Sequence, residues 1–288
     1  HVRRVCCASP LMNTTSTLAG ISETNRRHLS QLHRHTQGLV DVDEAAKVLG
    51  LDQTGAAKLL AQLAVQGWVR RLRRGLYLLI PLEATSPEDW SEDAWIVAER
   101  VFRPGYIAGW SACEHWGLTE QIFRNVAVFT AAPIRERRLT VDQAVFVLRK
   151  LPQRLLFGTR AVWRKETRVQ VSAPTRTVAD VLDDPKWGGG MRHVAQIVEA
   201  YLASSHRDER LLLDYIERIG NAAAAKRLGY LLEARGLSAP ILMERLPGLV
   251  TAGYALLDPT IPARGPLVSR WKVRVNVEVA MRTGDGGA

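Results

Sequence analysis

Apolar and polar positions follow a helical period at the start of the chain. Leu29 and Leu32 fall on one face of a segment that spans residues 23–36, and Ser22 precedes it as a candidate N-cap. A second segment opens at Asp41, and Glu44 stands three residues on, as in a capping box. The pattern predicts two short helices in succession.

A third helix is predicted from residue 52 or 53 to about residue 66. Its buried stripe is formed by apolar residues that recur every three or four positions. The other face is small and polar, as a helix that enters the DNA major groove requires. We predict four DNA-contacting residues on this helix: Gln53, Thr54, Lys58 and Gln62. Gln53 and Thr54 begin the helix, where a phosphate is also favoured.

An arginine-rich hairpin is predicted directly after this helix. Two apolar runs in residues 67–80 flank a tip that ends in Gly75 and carries Arg70, Arg71, Arg73 and Arg74. Four like charges at this spacing repel one another unless an anion neutralises them, and DNA phosphates do so while releasing counterions. Helix, turn, helix and basic hairpin form the order of a winged-helix module.

Composition agrees with an anionic partner. The 288 residues carry a formal net charge of +10, and 47% of them are hydrophobic, so the chain can bury a core. No apolar run approaches the roughly 20 residues that span a bilayer. The three cysteines, Cys6, Cys7 and Cys113, show neither disulfide-framework nor metal-site spacing. We therefore expect a cytoplasmic protein that binds no membrane, metal or cofactor.

The remainder of the chain predicts mixed structure. Strands are expected at 126–130, 144–148, 161–164, 169–171, 254–257 and 272–279, and helices at 174–182, 191–203, 209–219, 222–233 and 241–246. This order is α+β. We predict an N-terminal winged helix-turn-helix followed by a larger mixed α/β domain. The expected divisions are a disordered or expression-derived extension (1–22), the winged helix (23–84) and the α+β domain (85–288).

Three stretches of the larger domain resemble segments of AbiEi-type antitoxins. They are residues 106–119, 172–182 and 225–233, and their order and spacing also match that family. The resemblance implies a repressor whose winged helix binds inverted repeats in double-stranded DNA at its own promoter. It also implies antitoxin function against a nucleotidyltransferase-like toxin, without requiring direct contact between the two proteins.

Candidate catalytic groups have simpler explanations. Ser111 lacks the final glycine of a nucleophile elbow and is expected to cap a helix, and Gly188–Gly190 lacks the Lys-Ser/Thr of a phosphate loop. Asp41 and Asp43 lie at a helix start, where capping accounts for them. We predict no catalytic residues and no enzyme. Two alternatives remain open: an enzyme that acts on nucleic acid and docks through its winged helix, and a module that binds an acidic protein.

Overall fold

The computed structural model describes residues 20–81 and 90–279. Contacts divide the chain into two units, His1–Glu92 and Asp93–Ala288. The expected boundary at 84/85 lies outside the described residues, as do residues 1–19 of the expected extension. Ile21 packs against the core of the first unit, and Ser22 caps its first helix.

The first unit is a winged helix. Three helices precede a hairpin, and a short strand between the first two helices joins that hairpin in an antiparallel sheet with order β1-β3-β2. The elements are α1 (Glu23–His35), β1 (Leu39–Asp41), α2 (Val42–Leu49), α3 (Gln53–Val65), β2 (Val69–Arg73) and β3 (Leu76–Leu79). The prediction for this fold is confirmed, although β1 was not foreseen.

Side-chain caps and one glycine set the helix limits in this unit. Ser22, Asp41 and Asp52 each accept a hydrogen bond from a backbone N–H in the first turn of the helix that follows. Gly50 ends α2 with a φ of +66°, a left-handed conformation that favours glycine. The turn between α2 and α3 is therefore fixed by local chemistry.

The second unit is built on a six-stranded mixed sheet with order β6-β7-β5-β4-β9-β8. The strands β4 and β9 are parallel, as are β5 and β7, while the remaining neighbours are antiparallel. Along the chain the first elements are α4 (Ala94–Val101), β4 (Gly105–Ile107), α5 (Gly109–His115), β5 (Val126–Thr130), β6 (Arg138–Val141), β7 (Ala144–Lys150), β8 (Thr159–Arg164) and β9 (Thr167–Ser172). The edge strand β8 carries Arg160 and Trp163, whose ring is 65% exposed.

Helices follow the sheet in the order that the sequence predicts. They are α6 (Pro174–Asp183), α7 (Met191–Ala203), α8 (Glu209–Ile219), α9 (Ala222–Ala234) and α10 (Pro240–Arg245), with a 3₁₀ turn at Pro185–Gly188. Helix α6 is buried from Pro174 to Leu182. It contacts α5, α7, α8, α9 and β9, so it forms the centre of the unit.

Short elements account for the differences from the prediction. Strands β4 and β6 and helix α5 were missed because each has only three to seven residues. The strand expected at 272–279 is reduced to β12 (Val273–Arg274), which pairs with β10 (Ala255–Leu256) and β11 (Leu267–Val268). Within the described residues, no helix is long and apolar enough to cross a membrane.

A buried polar network joins α6 to β4. Arg176 donates to Asp180 at 2.9 Å and to the Tyr106 hydroxyl at 3.1 Å, and that hydroxyl donates to Asp180 at 3.2 Å. The guanidinium also lies 4.0 Å from the ring centroid of Phe157. Burial raises the pKa of Asp180 to about 6 despite the adjacent Arg176. The Asp180 carboxylate is therefore charged and paired with Arg176 at neutral pH, and it becomes protonated in mild acid.

A close approach of two elements is centred on Gly229 in α9. A Cβ built at this position would lie 2.2 Å from the ring of Trp271, which is fully buried. Trp271 also donates its indole N–H to Glu233, one turn further along α9. The indole ring thus occupies the volume that any side chain at position 229 would need.

We predict that Gly229→Ala lowers the free energy of unfolding by about 1–3 kcal/mol, because the indole must move. Gly248→Ala is the matched control, since nothing lies within 4 Å of its Cβ position. Chemical denaturation of both variants measures the difference. Equal denaturation midpoints for Gly229→Ala and Gly248→Ala would show that Trp271 does not pack tightly against position 229.

Asp180 predicts a pH dependence of stability. Its pKa is higher in the folded chain, about 6, than its ordinary value of 3.8. The folded state therefore holds this proton more tightly, and the resulting stabilisation is lost as pH rises from about 4 through 6. Denaturation across this window should show that loss in the parent chain and not in Asp180→Asn. Parallel pH profiles for the two proteins would contradict the assignment.

Candidate nucleic-acid interface

Helix α3 turns one face into the core and leaves the other open. Ala56, Leu60 and Leu63 are buried. The predicted DNA-contacting residues Gln53, Thr54, Lys58 and Gln62 are all exposed. Thr54, Lys58 and Gln62 are spaced by four residues, so they lie along one face of the helix. The structure therefore places these three side chains together.

Gln53 differs from the other three. Its side-chain amide donates to the Asp43 carboxylate of α2 at 2.7 Å, which links the two helices of the helix-turn-helix. Asp52 caps the start of α3 by accepting from the Gly55 N–H at 3.0 Å. This carboxylate occupies the helix N-terminus, where the sequence also suggested a phosphate contact. Negative charge there disfavours phosphate, so the middle of α3 is the better contact surface.

Two apolar side chains at the edges of α3 were not singled out from the sequence. Val65 is 88% exposed and continues the line of Thr54, Lys58 and Gln62. Leu51, in the turn before α3, is 36% exposed. Apolar groups can contact thymine methyl groups in the major groove. Periodicity did not single out Val65 or Leu51, because it does not distinguish an exposed apolar residue from a buried one.

The hairpin holds three of its arginines on β2 and the fourth in the tight turn that follows. Arg73 pairs with Leu76, so Arg74 and Gly75 alone form the tip, and Gly75 has a φ of +79°. The register shifts between Arg71 and Arg73, which marks a β-bulge at Leu72. Arg71, Arg73 and Arg74 are exposed, and Arg70 is half-buried. Three of the four predicted wing arginines are therefore exposed to solvent.

The core beneath the wing is well buried. The central strand β3 is buried along its whole length, with Tyr77 and Leu79 packed against α1 and α3 residues in a common cluster. Its partner β2 begins with the buried Val69. Since the hairpin is anchored by these side chains, the arginines are presented on a fixed scaffold rather than on a free loop.

Catalytic candidates from the sequence occupy structural positions. Ser111 lies within α5, not at its N-cap, which is Ala108, so the expectation of a cap is wrong. Its hydroxyl accepts from the Ala127 N–H at 3.0 Å and is buried. Asp41 caps α2 as expected, and Gly188–Gly190 connects the 3₁₀ turn to α7. Glu114 and His115 are exposed at the end of α5.

One hydroxyl–imidazole pair was not visible in the sequence. His193 lies 2.6 Å from both the Gly188 carbonyl oxygen, through Nδ1, and the Thr119 hydroxyl, through Nε2. The carbonyl only accepts, so Nδ1 carries a proton and donates to it. The pair fastens the segment after α5 to the first turn of α7. Among the described residues, no group of three or more His, Cys, Asp or Glu side chains could hold a metal ion.

Comparison with known proteins gives a fold but no family. No family model and no curated protein matches the sequence. Among solved structures, the chain is similar to the RV2827C protein from Mycobacterium tuberculosis, with a TM-score of 0.59 and 15% sequence identity. The match covers 90% of this chain and 93% of that chain. At this identity the likeness shows the fold alone: an α+β chain whose helical N-terminal region is followed by an α/β domain.

Proposed function

We propose that the protein is a DNA-binding transcriptional repressor that acts as the antitoxin of a bacterial toxin–antitoxin pair in the cytoplasm. The observation that carries the proposal is the surface of the winged helix. Thr54, Lys58 and Gln62 form an open polar face on α3, and the adjoining hairpin projects exposed arginines. Each feature fits the established docking of winged helices on duplex DNA.

The two parts of this surface have different roles in the proposal. Arg71, Arg73 and Arg74 contact phosphates or the minor groove, and they supply affinity and register. Thr54, Lys58 and Gln62 face base edges in the major groove, where their donors and acceptors read sequence. Inverted repeats in the protein's own promoter are the proposed target.

The antitoxin role rests on the resemblance to AbiEi-type antitoxins. Its three segments supply β4 with α5, then α6, and then part of α9. The helices α5 and α9 both contact α6, so the three segments meet at the centre of the second unit. Tyr106, Arg176 and Asp180, the buried network, all belong to these segments. The proposed functional partner is a nucleotidyltransferase-like toxin, and the proposal does not require direct contact with it.

Removing the exposed wing charges should weaken DNA binding at every sequence. For Arg71→Ala/Arg73→Ala/Arg74→Ala, we predict that the slope of log K against log salt becomes shallower by about three units, roughly one per lost phosphate contact. Gel shifts on the upstream promoter fragment and on an unrelated fragment, each at several salt concentrations, measure the slope.

The matched control is Arg210→Ala/Arg245→Ala/Arg264→Ala, which removes three exposed arginines from the second unit. It changes net charge equally, so its slope separates local contact from overall charge. An unchanged slope in the wing variant, or the same change in both variants, would contradict the proposal that the wing arginines contact DNA phosphates.

The face of α3 should affect sequence preference rather than stability. Thr54→Ala, Lys58→Ala and Gln62→Ala should each change the free energy of unfolding by less than about 0.5 kcal/mol, because the side chains are exposed. Each should reduce the preference for the promoter by about 1–3 kcal/mol where a base contact is lost. Leu60→Ala, which empties a core position, should instead cost about 2–5 kcal/mol of stability. Promoter preference unchanged in all three polar variants would exclude α3 as the reading helix.

A further inference from the structure

A cavity of about 510 Å³ opens in the second unit at the end of β7. Its walls come from the chain that leads into β6, from the end of β7 and from the 3₁₀ turn at Pro185–Gly188. The Leu148 N–H donates to the Arg137 carbonyl at 2.7 Å, which holds the first wall against the second. A volume of this size is typical of small-molecule binding sites.

Cations dominate the lining. Five of the lining residues are basic: Arg135, Arg137, Arg149, Lys150 and Lys186. Arg149 pairs with Asp183, and the other four have no carboxylate partner within the part of the chain that the structure describes. The basic residues outnumber the two acidic residues of the lining, Glu136 and Asp184, so the cavity carries a net positive charge that a bound anion would stabilise.

The side chain of Arg149 is fixed by contacts with Asp183 and Phe129. Its guanidinium donates to Asp183 Oδ2 at 2.5 Å and lies 5.1 Å from the ring centroid of Phe129. The other oxygen of Asp183 accepts from the Asn221 amide at 2.6 Å. A cation fixed by two such contacts loses little side-chain entropy on binding an anion.

The acidic and apolar residues of the lining restrict the classes of ligand that fit the cavity. Glu136 and Asp184 add two carboxylates, which repel a bare polyanion but accept hydrogen bonds from hydroxyl or amino groups. Ile134, Val147 and Trp187 supply an apolar wall. Trp187 is braced by Trp110, stacked at 5.5 Å, and by Phe129, edge-on at 4.9 Å. Phosphate, hydrogen-bond donors and a planar apolar part occur together in a nucleotide.

We propose that this cavity binds a nucleotide, with its phosphates among Arg135, Arg137, Arg149, Lys150 and Lys186 and its sugar or base against the carboxylates and the apolar wall. The residues of this site belong to the second unit, whereas those of the proposed DNA surface belong to the first. It would give the chain a small-molecule ligand in addition to DNA.

Isothermal titration of the full chain with ATP, with inorganic pyrophosphate and with adenosine tests the site. ATP should bind most tightly, because it alone engages both the cations and the apolar wall. Arg137→Ala/Lys150→Ala should weaken ATP binding by roughly 100-fold, about tenfold for each lost charge. Asp184→Asn should strengthen pyrophosphate binding, since one repelling charge is removed, whereas a purely structural role would not produce a gain.

The matched control is Arg138→Ala/Arg154→Ala, which removes two exposed cations of the same segment that do not line the cavity. ATP binding should be unchanged in it and in the triple wing variant, so this inference can fail or hold independently of the proposed function. Absence of saturable ATP binding would overturn it, as would equal losses in the cavity and control variants. A cavity variant that weakens duplex DNA binding while ATP does not bind would assign these cations to DNA instead.

Discussion

The buried ion pair between Arg176 and Asp180 is the constraint on which the second unit depends. Removing two charges from water costs several kcal/mol per ion, and the geometry recovers this only when the remaining donors and acceptors are satisfied. Here Tyr106 bonds to both partners, and Phe157 covers the guanidinium, but Nη1 of Arg176 is buried without a hydrogen-bond partner among the described residues, so the compensation is incomplete. Because Tyr106 belongs to β4 and the ion pair to α6, the sheet and the central helix must be correctly placed together. The network therefore favours one arrangement of α6 on the sheet over others of similar apolar burial.

The constraint on the first unit is the repulsion between closely spaced arginines, since this unit combines an apolar core with a dense positive surface. The arginines of β2 and its turn stand on a strand whose neighbour, β3, is buried throughout. The core stabilises the hairpin enough to hold like charges close together. In the proposed complex with DNA, the hairpin would supply affinity and the exposed face of α3 would supply discrimination, in the division that phosphate and base contacts usually follow.

Local signals in the sequence predicted the long elements well. The limits of α7 and α8 match their predicted ranges, because helical periodicity and clear stop signals define them. Strand β1 has three residues and pairs with Leu76–Leu78, more than thirty positions away, so no local pattern reveals it. From the sequence alone, Arg176 would be taken for a surface residue. The fold buries it because Tyr106 and Phe157, which are distant in the sequence, pack against it. Arg135, Arg137, Arg149 and Lys150 lie close together in the sequence, but the cavity also requires Lys186 and Trp187 from another element. The sequence could not predict contacts between side chains that lie far apart along the chain.

Among the described residues, β6 and β8 form the two edges of the sheet in the second unit, and each carries cations. Arg138 lies on β6, Arg160 and Arg164 lie on β8, and Arg168 of β9 sits over the exposed Trp163 ring at 5.7 Å. An unpaired strand edge with an exposed aromatic side chain is a template for association with a second chain. Positive charge on both edges opposes such contact between copies, which repel edge to edge. The charge on which the proposed DNA binding depends would therefore also keep the sheets of two copies apart, and high salt or an excess of polyanion would weaken that protection.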